Sequence, residues 1–184
     1  MVTVTTQDAN WTHLNNLELV NNLQVDGNAV IAGSLTYTSV TGLPSVAVGA
    51  TTTITAANAG STFLLNTAAG SVATLPAATG TGNVYNFIVT TTVTSNSHKI
   101  LAASSSDDII GIAIGQHTNT PLAFQATVAG TFHSIQMPSA GTTPSGGNQG
   151  DSFTFQDIGT NLWYVTGTYT AGTTPTTPFS TATS

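Results

Sequence analysis

Apolar and polar positions recur with a period of six over residues 16–39. The run reads Asn16-Leu17-Glu18-Leu19-Val20-Asn21, then Asn22-Leu23-Gln24-Val25-Asp26-Gly27, Asn28-Ala29-Val30-Ile31-Ala32-Gly33 and Ser34-Leu35-Thr36-Tyr37-Thr38-Ser39. The second and fourth positions of each unit point to one side of an extended strand. The Gly, Asn and Ser at the unit borders supply the bends. Such hexapeptide periods belong to β-helical repeats, which need about three or more stacked units to hold a core. Four hexapeptides make little more than one coil in a single chain, and their apolar stripe would stay wet. Three chains wound about one axis solve this, each giving one side per layer. The expected trimer interface is then Leu17, Leu19, Leu23, Val25, Ala29, Ile31, Leu35 and Tyr37. The competing reading is a strand-turn-strand hairpin turning at Asp26-Gly27.

Val40-Thr41-Gly42-Leu43-Pro44 reads as a linker. Beyond it, alternating runs predict strands over 46–56, 62–66, 72–75, 83–94, 98–102, 109–114, 122–128, 131–137, 152–157 and 162–170. Turn-rich segments separate them, and no helical period is present. The expected architecture is all-β: a short N-terminal intertwined triple-stranded β-helical stalk, followed by an antiparallel β-sandwich or jelly-roll-like domain. The chain divides as an arm over 1–15, a stalk over 16–44, a sandwich domain over 45–170 and a Thr/Pro-rich tail over 171–184. The 142–150 segment reads as a flexible, solvent-exposed loop. The tail cannot form a core alone, and Phe179 is the residue that would tether it to a neighbouring strand or subunit.

Composition sharpens this picture. Of 184 residues, 40% are hydrophobic and only 4% charged, against about 25% in a typical domain. High apolar content with many β-branched residues argues against disorder. Lys99 is the single basic residue beside seven acidic ones, and the net charge is −6. Phosphate neutralisation needs Lys or Arg, so no nucleic-acid partner is expected. No run approaches the ~20 apolar residues of a membrane helix, so no membrane partner is expected either. There is no Cys and hence no disulfide or thiolate metal site. Residues 1–8 have neither a basic nor an apolar leader region. Production in a cytoplasm, with release by lysis or a non-Sec route, is therefore expected.

The residues that carry chemistry are sparse. Glu18 lies in the repeat, and Asp107 and Asp108 are adjacent, facing opposite sides in a strand or capping in a turn. Asp151 and Asp157 are a distant pair, and neither pair suggests the two-carboxylate chemistry of glycosidases. His13, His98, His117 and His133 lack metal-ligand spacing and read as surface histidines. A threefold axis would bring three copies of His13 together, the one route to axial ion binding. No nucleophile elbow, phosphate loop or calcium loop is present. No cofactor and no catalysis are expected. Trp163 and Tyr164 are neighbours on a strand, so one should be buried and the other exposed; an exposed aromatic is also able to stack on sugar.

The run from Asn16 to Leu35 resembles the stalk repeats of bacteriophage fibre and spike proteins. The stretch Ala73-Thr74-Leu75-Pro76-Ala77-Ala78-Thr79-Gly80-Thr81-Gly82-Asn83-Val84-Tyr85-Asn86-Phe87-Ile88-Val89, Trp163 ahead of Gly167, and Thr177-Pro178-Phe179-Ser180 resemble segments of phage head-associated proteins. The resemblance implies a homotrimeric capsid decoration (cement) or head-fibre protein on the outside of a virion, with the major capsid protein as partner. By that resemblance, residues 1–15 contact the shell, with Val4, Asp8, Trp11 and His13 as contacts; the opposite polarity stays open. The alternative is a tail fibre or receptor-binding module that recognises a host surface glycan.

Overall fold

The computed structural model describes residues 44–117, 120–127, 130–138, 145–172 and 174–183. The chain divides into two units, Met1–Val40 and Thr41–Ser184, and the described residues all belong to the second. They form an all-β, sandwich-like fold of two mixed sheets with one short 3-10 turn, Ala56–Asn58. The strands are β1 (Ser45–Ala47), β2 (Thr51–Thr53), β3 (Thr62–Leu65), β4 (Val72–Thr74), β5 (Val84–Val89) and β6 (Ser97–Leu101). They continue as β7 (Asp108–His117), β8 (Thr120–Ala126), β9 (Ser134–Pro138), β10 (Ser152–Gly159), β11 (Leu162–Thr170) and β12 (Phe179–Ser180).

The larger sheet has seven strands in the order β1-β3-β5-β10-β11-β7-β8, and the smaller has five, β12-β9-β6-β4-β2. The first six strands therefore alternate between the sheets. β1, β3 and β5 stack in parallel in one, while β2, β4 and β6 stack in parallel in the other. Parallel neighbours need a long crossover, and here each crossover is a strand of the opposite sheet. This corrects the expected antiparallel sandwich. Both pairings have the same two-residue side-chain period, so alternation alone does not distinguish them. The expected strand over 46–56 is two strands in different sheets, separated at Gly49 with φ +62°. An extended run this rich in Thr hides a corner that a single Gly makes.

Residues of both sheets share one core. The inner face of the seven-stranded sheet supplies its aromatic layer. Phe63 stacks on Phe87 at 5.3 Å, Phe87 meets Phe155 edge-on at 5.7 Å, and Tyr85 meets Trp163 edge-on at 5.7 Å. Each such pair adds about 0.5–1.5 kcal/mol beyond its buried area. The five-stranded sheet answers with Ala73, Ile100, Ile135 and Met137. Trp163 is buried and Tyr164, with 39% of its surface accessible, is exposed, as the strand alternation predicts.

The tail joins this core. β12 pairs with β9, Phe179 is buried against Phe132, and the Ser134 hydroxyl donates to the Ala182 carbonyl at 2.7 Å. Tyr169 donates its hydroxyl to the Thr176 carbonyl. In the 142–150 segment the described part departs from an exposed tip: Ser145, Gly146 and Gly147 are buried. His98 also departs from a surface role, being fully buried. Its Nδ1 accepts the Ser71 amide at 3.0 Å, which leaves Nε2–H to donate to the Thr91 carbonyl at 2.9 Å. One neutral imidazole thus joins the entry of β4 to the segment after β5.

One row across the inner face reads Phe87, Phe153, Gly167, Ala113, Phe124. A Cβ on Gly167 would lie 2.2 Å from the Phe153 ring. Gly167→Ala should therefore destabilise the domain by about 1–3 kcal/mol through overpacking. Thermal unfolding of Gly167→Ala, Phe153→Leu and the double variant checks this. The double variant should lose less than the sum of the single losses.

Candidate functional site

The outward positions of the seven-stranded sheet form the most unusual surface of the domain. They carry Ile88 on β5, Ser152 and Thr154 on β10, Tyr164, Thr166 and Thr168 on β11, and Ile110, Ile112 and Ile114 on β7. On β8 they carry Ala123 and Gln125. None of these is charged. Ile88 and Ile114 keep 38% and 41% of their surface exposed.

β7 explains how this arises. Its sequence is apolar in both phases. The inward phase is Ile109, Gly111, Ala113 and Gly115, and the outward phase holds the three larger isoleucines. Size alone would turn the isoleucines inward, but the neighbouring strand forbids it. A Cβ on Gly111, whose φ is +143°, would lie 1.9 Å from the Val165 carbonyl oxygen, and one on Gly115 would lie 2.5 Å from the Tyr169 ring. Tyr169 of β11 fills the space under Gly115, and at Gly111 the positive φ would drive a Cβ into the Val165 backbone, so after Ile109 the inward positions are glycine and alanine and the bulky residues take the outer face.

The polar groups on this face are partly satisfied among themselves. Thr154 donates to the Asn86 side chain at 3.0 Å, and the Ser152 and Thr168 hydroxyls lie 3.5 Å apart. A shallow groove of about 310 Å³ runs over β11, between Ser152 and Thr154 on one side and Ile112 and Ile114 on the other. This site was not anticipated from sequence. The signal available was the run Ile109-Ile110-Gly111-Ile112-Ala113-Ile114-Gly115, which is too apolar for a strand with one wet face.

The carboxylates serve a different purpose. Asp107, Asp151 and Asp157 are all buried. Asp157, near the end of β10, accepts the amides of Thr79 at 3.1 Å, Gly80 at 2.6 Å and Thr81 at 3.0 Å, plus the Thr81 hydroxyl at 2.7 Å. Burial alone raises its pKa, but these donors outweigh it and hold the group below the usual carboxylate range. Asp151, just before β10, accepts the amides of Gly147 at 2.8 Å, Asn148 at 3.0 Å and Thr170 at 2.8 Å. Here burial wins over the donors and raises the pKa. Asp107 accepts the Ala78 amide and the Ser104 hydroxyl, both at 3.3 Å. Asp151 and Asp157 sit six residues apart along one strand, about 20 Å, so they do not form a pair.

Among the described residues no group of three His, Cys, Asp or Glu side chains is placed to hold a metal ion. His133 Nδ1 lies 3.1 Å from the Asp107 carbonyl oxygen and 3.6 Å from the Asp108 carboxylate. Among the described residues no helix is long and apolar enough to cross a membrane. The expected trimer contacts (Leu17, Leu19, Leu23, Val25, Ala29, Ile31, Leu35 and Tyr37) and capsid contacts (Val4, Asp8, Trp11 and His13) lie outside the described residues. Compared with known proteins, the chain matches no family model, no curated protein and no solved structure.

Three pH effects follow from the buried groups. The lowered pKa of Asp157 gives stability that is present above the unfolded value near 3.8 and is lost as pH falls through the folded pKa. Asp157→Asn should cost about 1–3 kcal/mol at neutral pH and flatten the acid limb of a urea-unfolding series. Asp151 acts with the opposite sign, its contribution being full below the unfolded pKa and lost as pH rises through the folded one. Burial lowers the His98 pKa, so the stability it contributes falls as pH drops from about 6.5. Unfolding measured at about pH 7.5 and pH 5 should show that loss in the parent chain and a smaller one in His98→Gln.

Proposed function

We propose that this chain is a structural virion protein: a homotrimeric decoration or head-fibre protein attached to the outside of a phage capsid. In this reading the hexapeptide segment holds three chains together. The arm before it contacts the major capsid protein, and the β-domain stands on the shell as a stabilising or adhesive module. The observation that carries the proposal is the six-residue repeat at 16–39, whose apolar stripe needs partner chains to become dry. The β-domain supports it in two ways. Its buried carboxylates bond main-chain amides, and its cationic content is one lysine. Three identical arms raise avidity without any new type of contact. Closed cyclic symmetry keeps an exposed apolar stripe from propagating into aggregates.

One observation favours the second reading, a tail-fibre or receptor-binding module for a host surface glycan. The groove over β11 sets the hydroxyls of Ser152, Thr154, Thr166 and Thr168 beside Ile112 and Ile114. That lining suits a neutral sugar. Copy number separates the two readings: a decoration protein accompanies the major capsid protein in many tens of trimers per particle, a tail fibre in a few.

The test has two parts. Gel densitometry of purified virions should place the chain in the head fraction at a high ratio to the major capsid protein; recovery in tail fractions alone would sink the decoration reading. Leu23→Asp with Ile31→Asp should abolish the trimer measured by light scattering, because each layer would then bury three like charges.

A further inference from the structure

We infer that the Ile/Thr-rich outer face of the seven-stranded sheet is a contact between copies: in the trimer, each domain turns this face toward its neighbours, with Ile112 and Ile114 near its centre. The inference rests on the homotrimer proposed above and extends it from the stalk to the β-domain. Four observations support it.

First, β7 turns Ile110, Ile112 and Ile114 outward, Ile114 exposed and the other two half-buried, while the inner phase after Ile109 is Gly111, Ala113 and Gly115. A row of isoleucines on a wet face is unfavourable, at roughly 25 cal/mol per Å² of apolar surface left uncovered. Second, the face is nearly neutral: among the described residues its one charged position is Asp108, at the start of β7 and 3.6 Å from His133 Nδ1. Three copies meet there with little like-charge repulsion, whereas a strongly acidic or basic partner would find little to pair with. Third, dehydration of its polar groups is inexpensive, because Thr154 already bonds Asn86 and the Ser152 hydroxyl approaches that of Thr168.

Fourth, the area is adequate. The five strands β5, β10, β11, β7 and β8 are adjacent and span roughly 500 Å² of sheet plane. Side-chain relief brings the accessible area toward the ~800 Å² per partner of a stable interface. The groove over β11 is shallow and open, a seat for a protruding side chain from a flat partner more than an enclosing pocket.

The absence of cysteine from the chain makes cross-linking a clean test. Ile114→Cys and Ala123→Cys report on the face; Thr53→Cys, exposed on β2 of the other sheet, is the control. Each full-length variant is treated with a short bis-maleimide at micromolar concentration, and its mass is measured in parallel. The face variants should give a dimer band, the largest product a bifunctional reagent can form with one thiol per chain, about 10²-fold faster than the control, reflecting a millimolar effective concentration. A parent chain of monomeric mass would overturn the trimer reading and this inference with it. A trimeric parent in which Ile114→Cys and Ala123→Cys cross-link no faster than Thr53→Cys overturns this inference alone. So does a trimer in which Ile114→Cys labels freely with a monofunctional maleimide until a neutral polysaccharide such as dextran protects it, which would assign the face to a glycan. Ala123→Cys is the smaller change and keeps the test valid should Ile114→Cys weaken folding.

Discussion

β10 is the middle strand of the seven-stranded sheet, and a buried carboxylate fastens each of its ends. At one end Asp157 gathers three consecutive amides, Thr79 to Thr81, from the segment joining β4 to β5. At the other, Asp151 gathers the Gly147 and Asn148 amides and the Thr170 amide at the end of β11. A chain with so few charges has little opportunity for ion pairs, and buried amides without acceptors cost about 1–3 kcal/mol each. A carboxylate accepts several amides at once and does so more strongly than a neutral acceptor. These bonds set where the parallel-stacked strands β1 to β6 meet the later strands, and therefore where the aromatic core lies.

That core in turn decides what the outer face looks like. Phe153 lies over Gly167, and Tyr169 occupies the space beneath Gly115. The strand next to β11 has to be thin on its inner side. β7 meets the requirement with Gly111, Ala113 and Gly115, and the alternation of a strand then sends its isoleucines outward. The Ile/Thr face is thus a packing consequence of the aromatic layer, as well as a candidate surface for assembly.

The functional reading joins two regions that share a property. The hexapeptide repeat is an apolar stripe in sequence and the outer face of the sheet leaves Ile88 and Ile114 exposed; both are sparse in charge, with Glu18 and Asp26 in the repeat and Asp108 at the start of β7. In the assembly proposed above, a threefold arrangement would cover both with the same operation.

Local signals were enough to place most of the later strands. Those over 62–66, 72–75, 98–102, 152–157 and 162–170 lie within a residue or two of β3, β4, β6, β10 and β11, because alternation and Gly-rich turns are local properties. That one of Trp163 and Tyr164 is buried and the other exposed was legible for the same reason; which one was not. The parallel stacking of β1 to β6 was not, since pairing direction leaves no mark on a two-residue period. The buried roles of His98, Asp151 and Asp157 were also not legible. Each depends on partners 27, 19 and up to 78 positions away, and a polar residue in a strand reads as solvent-facing until its partner is known. The facing of β7 was decided last, by the side chains of β11 beneath it. The sequence by itself determined that the chain is β-rich, nearly uncharged and periodic over residues 16–39. Only the tertiary structure decided which apolar phase of β7 stays outside, because that choice depends on volume already filled by a neighbouring strand.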